Sequence, residues 1–216
     1  AEDNTENLVK IIKSCNRILI FIMSIPIAFL TAYGRDFYAM WQPTKDADML
    51  QRLSLLAVGV LYVSMSIQVL YHVFIITKKV KWNSLVILGS GVLSSCLSLL
   101  LLKTTDLGVM VFPLSSMLTG LLRNLIFTPI YAARCLKIRW NRFYGDILLG
   151  WISIGSIVIL GNLSRMVFPV DSWIKLILTG VVMGPLALAL NFLIILRKEE
   201  REMVIGMVKS RLKGAK

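Results

Sequence analysis

The chain has 216 residues, of which 56% are hydrophobic and only 17% are charged, with a mean hydropathy of +0.74. A soluble domain carries about 25% charged residues, so this composition argues against a soluble globular protein. The net charge of +12 comes from basic residues that flank long apolar runs, a pattern typical of membrane topology. We therefore predict membrane lipids as partners and no nucleic-acid partner.

Six apolar runs are long enough to cross a hydrocarbon core, which takes about 20 residues. They cover approximately residues 18–34, 53–77, 84–102, 107–131, 146–164 and 173–196. The sequence thus predicts an all-α membrane protein, a six-transmembrane-helix bundle over residues 18–197. Residues 1–17 are interpreted as the end of a cytoplasmic linker.

The basic tail, residues 198–216, follows the last span. The apolar residues of this tail share one helical face and are Met203, Val204, Met207, Val208 and Leu212. This spacing predicts an amphipathic helix on the cytoplasmic leaflet.

Lysine and arginine residues alternate between the two sides of the predicted bundle. One set of alternate segments, including both termini, holds 17 of them, and the other set holds 6. Because cytoplasmic segments are enriched in basic residues, this distribution predicts that both termini are cytoplasmic.

Arg123 is the one charged residue well inside a predicted span, and Asn124 follows it. Charges within membrane segments are costly and usually face a bundle interior or an aqueous cavity. A planar guanidinium suits phosphate, so Arg123 is a candidate anion-binding group in a central cavity. The alternative is a side chain that extends to the inner membrane interface.

Gln68 and His72 lie four residues apart in the second span and would share one face of a helix. Both are candidates for substrate contact. A single histidine near the end of a span is, however, more often an interhelical hydrogen-bonding group.

Other chemistry is not indicated. No span centre contains Asp or Glu, and no catalytic triad, nucleotide-binding loop or metal-ligand cluster is visible. The three cysteines, Cys15, Cys96 and Cys135, have no metal-binding or redox spacing. The sequence therefore predicts no catalytic residue, no metal, no cofactor and no enzymatic activity.

Several segments together resemble a known family. In chain order they are Ile25-Pro26, Tyr38-Ala-Met-Trp41, Thr77-Lys-Lys-Val-Lys81, Arg123-Asn-Leu-Ile-Phe-Thr-Pro129-Ile-Tyr131 and Cys135-Leu-Lys-Ile-Arg-Trp140. They are similar to the C-terminal half of Wzx-type polysaccharide flippases. These flippases belong to the MOP exporter superfamily, with MurJ-like lipid II flippases and MATE exporters.

The resemblance implies one lobe, helices 7–12, of a MATE-like two-lobed transporter. Its expected partner is a missing N-terminal six-helix lobe, and residues from Ala1 would end the linker between the lobes. The implied activity is flipping of undecaprenyl-pyrophosphate-linked oligosaccharide across the bacterial inner membrane by alternating access. The product would serve the assembly of O-antigen, capsule or exopolysaccharide, which makes the polysaccharide polymerase machinery a further candidate partner.

The same resemblance suggests roles for the candidate residues. Arg123 would contact pyrophosphate or an acidic sugar, whereas Gln68, His72 and Asn124 would contact sugar hydroxyls. Two other readings stay open. A lobe of a MATE-type small-molecule exporter would need an acidic cavity, and a membrane-embedded glycan polymerase or acyltransferase would need a large external loop with catalytic residues.

Overall fold

The computed structural model describes residues 2–202 and 205–206, and in this part of the chain all regular secondary structure is helical. The α-helices are α1 (Glu2–Trp41), α2 (Ala47–Val58), α3 (Leu61–Ser64), α4 (Leu70–Ile76), α5 (Val80–Thr104), α6 (Val111–Leu122), α7 (Thr128–Cys135), α8 (Tyr144–Val167) and α9 (Trp173–Ile194). A 3₁₀ turn, Gly108–Met110, precedes α6, and a π-helical turn, Arg123–Phe127, joins α6 to α7. The predicted all-α membrane class is confirmed.

Helix α1 is 40 residues long and continuous through Pro26, which corresponds to about 60 Å. The predicted first span, residues 18–34, is its central part. The described residues before position 18, expected at the end of a linker, are helical turns of the same rod.

Among the described residues, five helical segments are long and apolar enough to cross a membrane: Thr5–Trp41, Val80–Thr104, Gly108–Cys135, Tyr144–Val167 and Trp173–Ile194. The second predicted span, 53–77, is not a continuous helix. It is divided among α2, α3 and α4, and the junctions carry short-range bonds such as Ser66 N–H to Val63 O at 3.0 Å. Glycine and β-branched residues at the first junction, Gly59 and Val60, have low helix propensity, which favours these tighter turns.

The interrupted segment nevertheless runs the length of α1 in the opposite direction. At its start, Asp48 pairs with Arg35 near the C-terminal end of α1, with Nε and Oδ1 2.7 Å apart. At its finish, Leu70 and Phe74 lie in one apolar cluster with Val9 from the first turns of α1. In the described part of the chain, the interrupted segment therefore lies antiparallel to α1, beside the five helical segments of membrane length.

The bundle has two ends with different charge. We call the end with residues 5–17, 77–82, 135–144 and 195–202 the terminal end, because both described ends of the chain meet there. Ser14 Oγ donates to Glu200 Oε1 across that junction at 2.7 Å. Residues 198–202 and 205–206 are helical, whereas the apolar residues expected to form the face of an interfacial tail helix lie outside the described residues.

The opposite end, which we call the Trp41 end, is closed by ion pairs. Arg165 Nε lies 2.8 Å from Asp36 Oδ2 and so ties α8 to α1. In the loop before α9, the hydrogen bond from Lys175 holds the pKa of Asp171 below its ordinary value.

Helices α1, α8 and α9 meet around a buried polar group. Asn191 donates to Phe21 O at 3.0 Å and to Ser24 Oγ at 2.8 Å, and it accepts from Ser153 Oγ at 2.6 Å. Such interhelical bonds and small residues allow membrane helices to approach closely. Helix α5 lies at the periphery instead, with exposed leucines and valines that suit a lipid-facing surface.

Candidate functional site

The candidate site is built around the π-helical turn Arg123–Phe127. Pro129 has no backbone N–H, so the carbonyl of Leu125, four residues earlier, loses its helical donor. The Tyr144 hydroxyl donates to this carbonyl at 2.7 Å instead. The Thr128 N–H bonds to Arg123 O, five residues back, and the Thr128 hydroxyl donates to the same oxygen at 3.2 Å. Local widening of this kind is frequent at functional sites.

The Arg123 side chain is half-buried and reaches from the π turn toward α5. Its Nη1 donates to Ser90 Oγ at 3.2 Å, and its Nε donates to Asn124 Oδ1 at 3.4 Å. None of the ion pairs in the described part of the chain includes Arg123. A guanidinium has five N–H donors, so these two bonds leave most of its donor capacity unused.

Asn124 connects the turn to α4. It is only 1% exposed, and its Oδ1 also accepts from the Tyr71 hydroxyl at 3.0 Å. The two hydrogen bonds on one oxygen hold Arg123, Asn124 and Tyr71 as a single polar cluster.

This cluster borders an open cavity of about 390 Å³ between α3, α4, α5 and the π turn. Its lining combines apolar and polar side chains, namely Val60, Ser64, Gln68, Tyr71, Ile87, Arg123 and Asn124. The structure thus brings Arg123, Asn124 and Gln68, three of the predicted site residues, to one surface.

His72 does not line this cavity, although the helical spacing from Gln68 predicted a shared face. The reason lies in the interruption before α4, where Tyr71 N–H bonds to Gln68 O at 3.3 Å, three residues back. In such 3₁₀ geometry residue i+3 eclipses residue i, so Tyr71 takes the position expected for His72. His72 is exposed elsewhere on α4.

Two features of this site were not predicted from the sequence. Ser90 was not among the predicted site residues, yet its hydroxyl accepts from Arg123. The π turn was also not predicted. The available signal was Pro129, which follows Arg123 by six positions and removes a helical donor.

Chemically, the cavity wall presents a cation with unused donors, two carboxamides and two hydroxyls. No carboxylate lines it among the described residues. This arrangement can bind an anion through Arg123 and uncharged hydroxyl or amide groups through its neighbours.

Comparison with known proteins found one informative similarity. The chain is 24% identical over 222 residues to the uncharacterized membrane protein EpsK of Bacillus subtilis (strain 168). The alignment covers 100% of this chain but 42% of EpsK, so the chain spans less than half the length of that relative. No protein-family model matches the sequence. No solved structure matches it either.

The chain is a multi-pass membrane protein. Its membrane-length helices and its similarity to a membrane protein agree on this point.

Proposed function

We propose that this chain forms one lobe of a flippase that moves undecaprenyl-pyrophosphate-linked oligosaccharide across the bacterial inner membrane by alternating access. The observation that carries the proposal is the Arg123 guanidinium, which lies within a membrane-length helix and faces an open cavity without a carboxylate partner. The resemblance to Wzx-type flippases supplies the substrate class. No covalent bond changes in this reaction.

An unpaired cation within the membrane needs compensation. Placing an arginine at the centre of a membrane helix costs about 2.5 to 3.5 kcal/mol on insertion scales. A pyrophosphate would offset that cost through paired, charge-assisted hydrogen bonds, which a planar guanidinium makes well. A MATE-type exporter of cationic compounds would need acidic groups instead, and the described cavity wall has none.

The neighbouring groups suit the glycan. Asn124 and Gln68 line the cavity beside Arg123 and would hydrogen-bond sugar hydroxyls. His72 would contact the substrate only at a surface outside this cavity, for example one that the other lobe completes.

The test is Arg123→Ala in the full-length transporter, with surface glycan and lipid-linked oligosaccharide translocation as readouts. We expect transport to fall about tenfold or more, because a charge-assisted contact contributes about 1.5 to 3 kcal/mol. Protein abundance should hold, since the side chain makes no buried ion pair. Arg123→Lys should retain part of the activity.

Arg134→Ala is the matched control, because it removes the same charge from a residue that is exposed at the end of α7. Wild-type glycan levels in Arg123→Ala would reject the proposal. Equal losses in both variants would show that only net charge matters.

The proposal also places both termini in the cytoplasm. A periplasm-dependent phosphatase joined after Lys216 should be inactive, because it would stay in the cytoplasm. The same phosphatase inserted at Lys45, at the Trp41 end, should reach the periplasm and be active. The reverse pattern would invert the orientation. Activity at both sites would mean that residues 47–76 do not cross the membrane.

A further inference from the structure

A second polar cavity of about 330 Å³ lies at the terminal end of the bundle. It shares no lining residue with the Arg123 cavity. Five cationic side chains from three separate parts of the chain line it, namely Lys10, Lys13, Arg17, Arg142 and Arg197. Three carboxylates, Glu6, Glu199 and Glu200, also line it, and Glu6 and Glu199 are exposed.

Arg17 is the central group of this pocket. It is only 8% exposed, and its Nε has no hydrogen-bond partner. Its one ion pair is long, with Nη1 3.5 Å from Glu200 Oε2. A buried guanidinium with an unused donor is costly, since an unmade buried hydrogen bond costs about 1 to 3 kcal/mol.

Glu200 does not neutralise the remaining cations, because other donors already occupy its carboxylate. Ser14 Oγ donates to Oε1 at 2.7 Å, and the Arg197 N–H donates to Oε2 at 2.9 Å. Lys10, Lys13, Arg142 and Arg197 make no side-chain ion pair within the described part of the chain. The pocket therefore keeps a cationic excess.

Two buried polar residues, Asn16 and Asp146, lie close to the basic residues of the pocket. Asn16, next to Arg17 in the chain, is fully buried and lies against the Asp146 carboxylate. Asp146 lies near Lys13 and Arg17 and offsets part of their charge, yet the three other basic side chains of the pocket, Lys10, Arg142 and Arg197, have no ion-pair partner among the described residues. The unused Nε donor of Arg17 and these unpaired cations are what a bound anion would satisfy.

The pocket lies at the level expected for lipid headgroups. Trp82 and Trp140 at the same end are each 61% exposed, as aromatic residues at membrane interfaces are. The outer side of α1 beside the pocket exposes Ile11 and Ile18, which suits contact with acyl chains. Basic pockets between membrane helices at the cytoplasmic surface are typical sites for anionic headgroups.

We propose that this pocket binds a phosphate group, supplied by the headgroup of an anionic membrane lipid and held by Arg17 with Lys13 and Arg142. Binding would link the start of α1, the entrance to α8 and the segment after α9. The site is independent of Arg123, so its test and that of the flippase activity can fail separately.

The test compares full-length protein in nanodiscs of phosphatidylcholine alone with nanodiscs that also contain phosphatidylglycerol. We expect phosphatidylglycerol to raise the thermal unfolding midpoint and to be retained in native mass spectra. Arg17→Gln should lower that retention about tenfold, because a charge-assisted hydrogen bond is lost. Lys103→Gln, an exposed cation at the opposite end, is the matched control and should bind like wild type.

Arg142→Gln covers the case in which Arg17→Gln does not fold, because Arg142 is exposed and also lines the pocket. Its retention should also fall relative to Lys103→Gln. Equal retention in the pocket variants and the control would overturn the proposal. Stabilisation by inorganic phosphate that matches that by the lipid would overturn the lipid source and assign a soluble anion.

Discussion

Two polar clusters inside the bundle differ in how far their hydrogen bonds are satisfied. Asn191 is fully buried, and its amide makes three interhelical bonds of 2.6 to 3.0 Å among α1, α8 and α9. Arg123 borders a cavity and makes two longer bonds, of 3.2 and 3.4 Å. The amide of Asn191 uses its hydrogen-bonding groups within the protein, whereas the guanidinium of Arg123 keeps donors free.

This difference separates polar groups that support packing from those available to a ligand. Both clusters contain an asparagine in a membrane helix, so residue type alone does not distinguish them. The two clusters differ in how many of their hydrogen bonds are made within the protein and in whether a cavity reaches them. A buried group whose hydrogen bonds are all made within the protein has no free donor or acceptor for a substrate. Changes near Asn191 should therefore affect stability, and changes near Arg123 should affect transport.

The largest effect on stability is expected from Gly150→Leu on α8. A Cβ at this position would lie 2.3 Å from Ser66 Oγ and 2.9 Å from Met65 Cε. Overpacking of this kind should lower the free energy of unfolding by about 3 kcal/mol, measured by unfolding in detergent. Gly155→Leu on the same helix is the control, since nothing lies within 4 Å of a Cβ there. Equal losses in the two variants would contradict the close packing of this region.

Asn191→Leu should have an intermediate effect. It removes all three interhelical bonds and leaves the Ser24 and Ser153 hydroxyls without this partner. We expect a loss of about 1 to 2 kcal/mol in the free energy of unfolding, because each such bond in a membrane protein contributes about 0.6 kcal/mol. Transport per folded molecule should stay near wild type. A transport defect in a stably folded variant would break the contrast between the two clusters.

Tyr71→Phe should have the smallest effect on stability, about 0.5 kcal/mol, since it removes one hydrogen bond beside an open cavity. Transport should fall more than stability, because the oxygen of Asn124 loses the donor that helps orient it. Paired measurements of unfolding and translocation in one preparation check this. A stability loss as large as that of Asn191→Leu would show that the cavity cluster also supports the fold.

Much of the architecture could be predicted because hydropathy and charge are local quantities. The apolar runs located the five helical segments of membrane length that the described residues contain. The interruption of residues 53–77 was missed, since average hydropathy over a window is insensitive to short turns around Gly59 and Ser66. That interruption also moved His72 away from Gln68.

The sequence by itself determined the membrane class, the approximate spans and the unusual position of Arg123. Each of these follows from the cost of placing polar or charged groups in hydrocarbon, which depends on the residues in one segment. Only the tertiary structure decided that Ser90 and Asn124 contact Arg123, that Tyr71 replaces His72 beside the cavity, and that Asn191 is saturated. Those contacts depend on how each helix is rotated and wound against its neighbours, and side chains distant in sequence set that rotation.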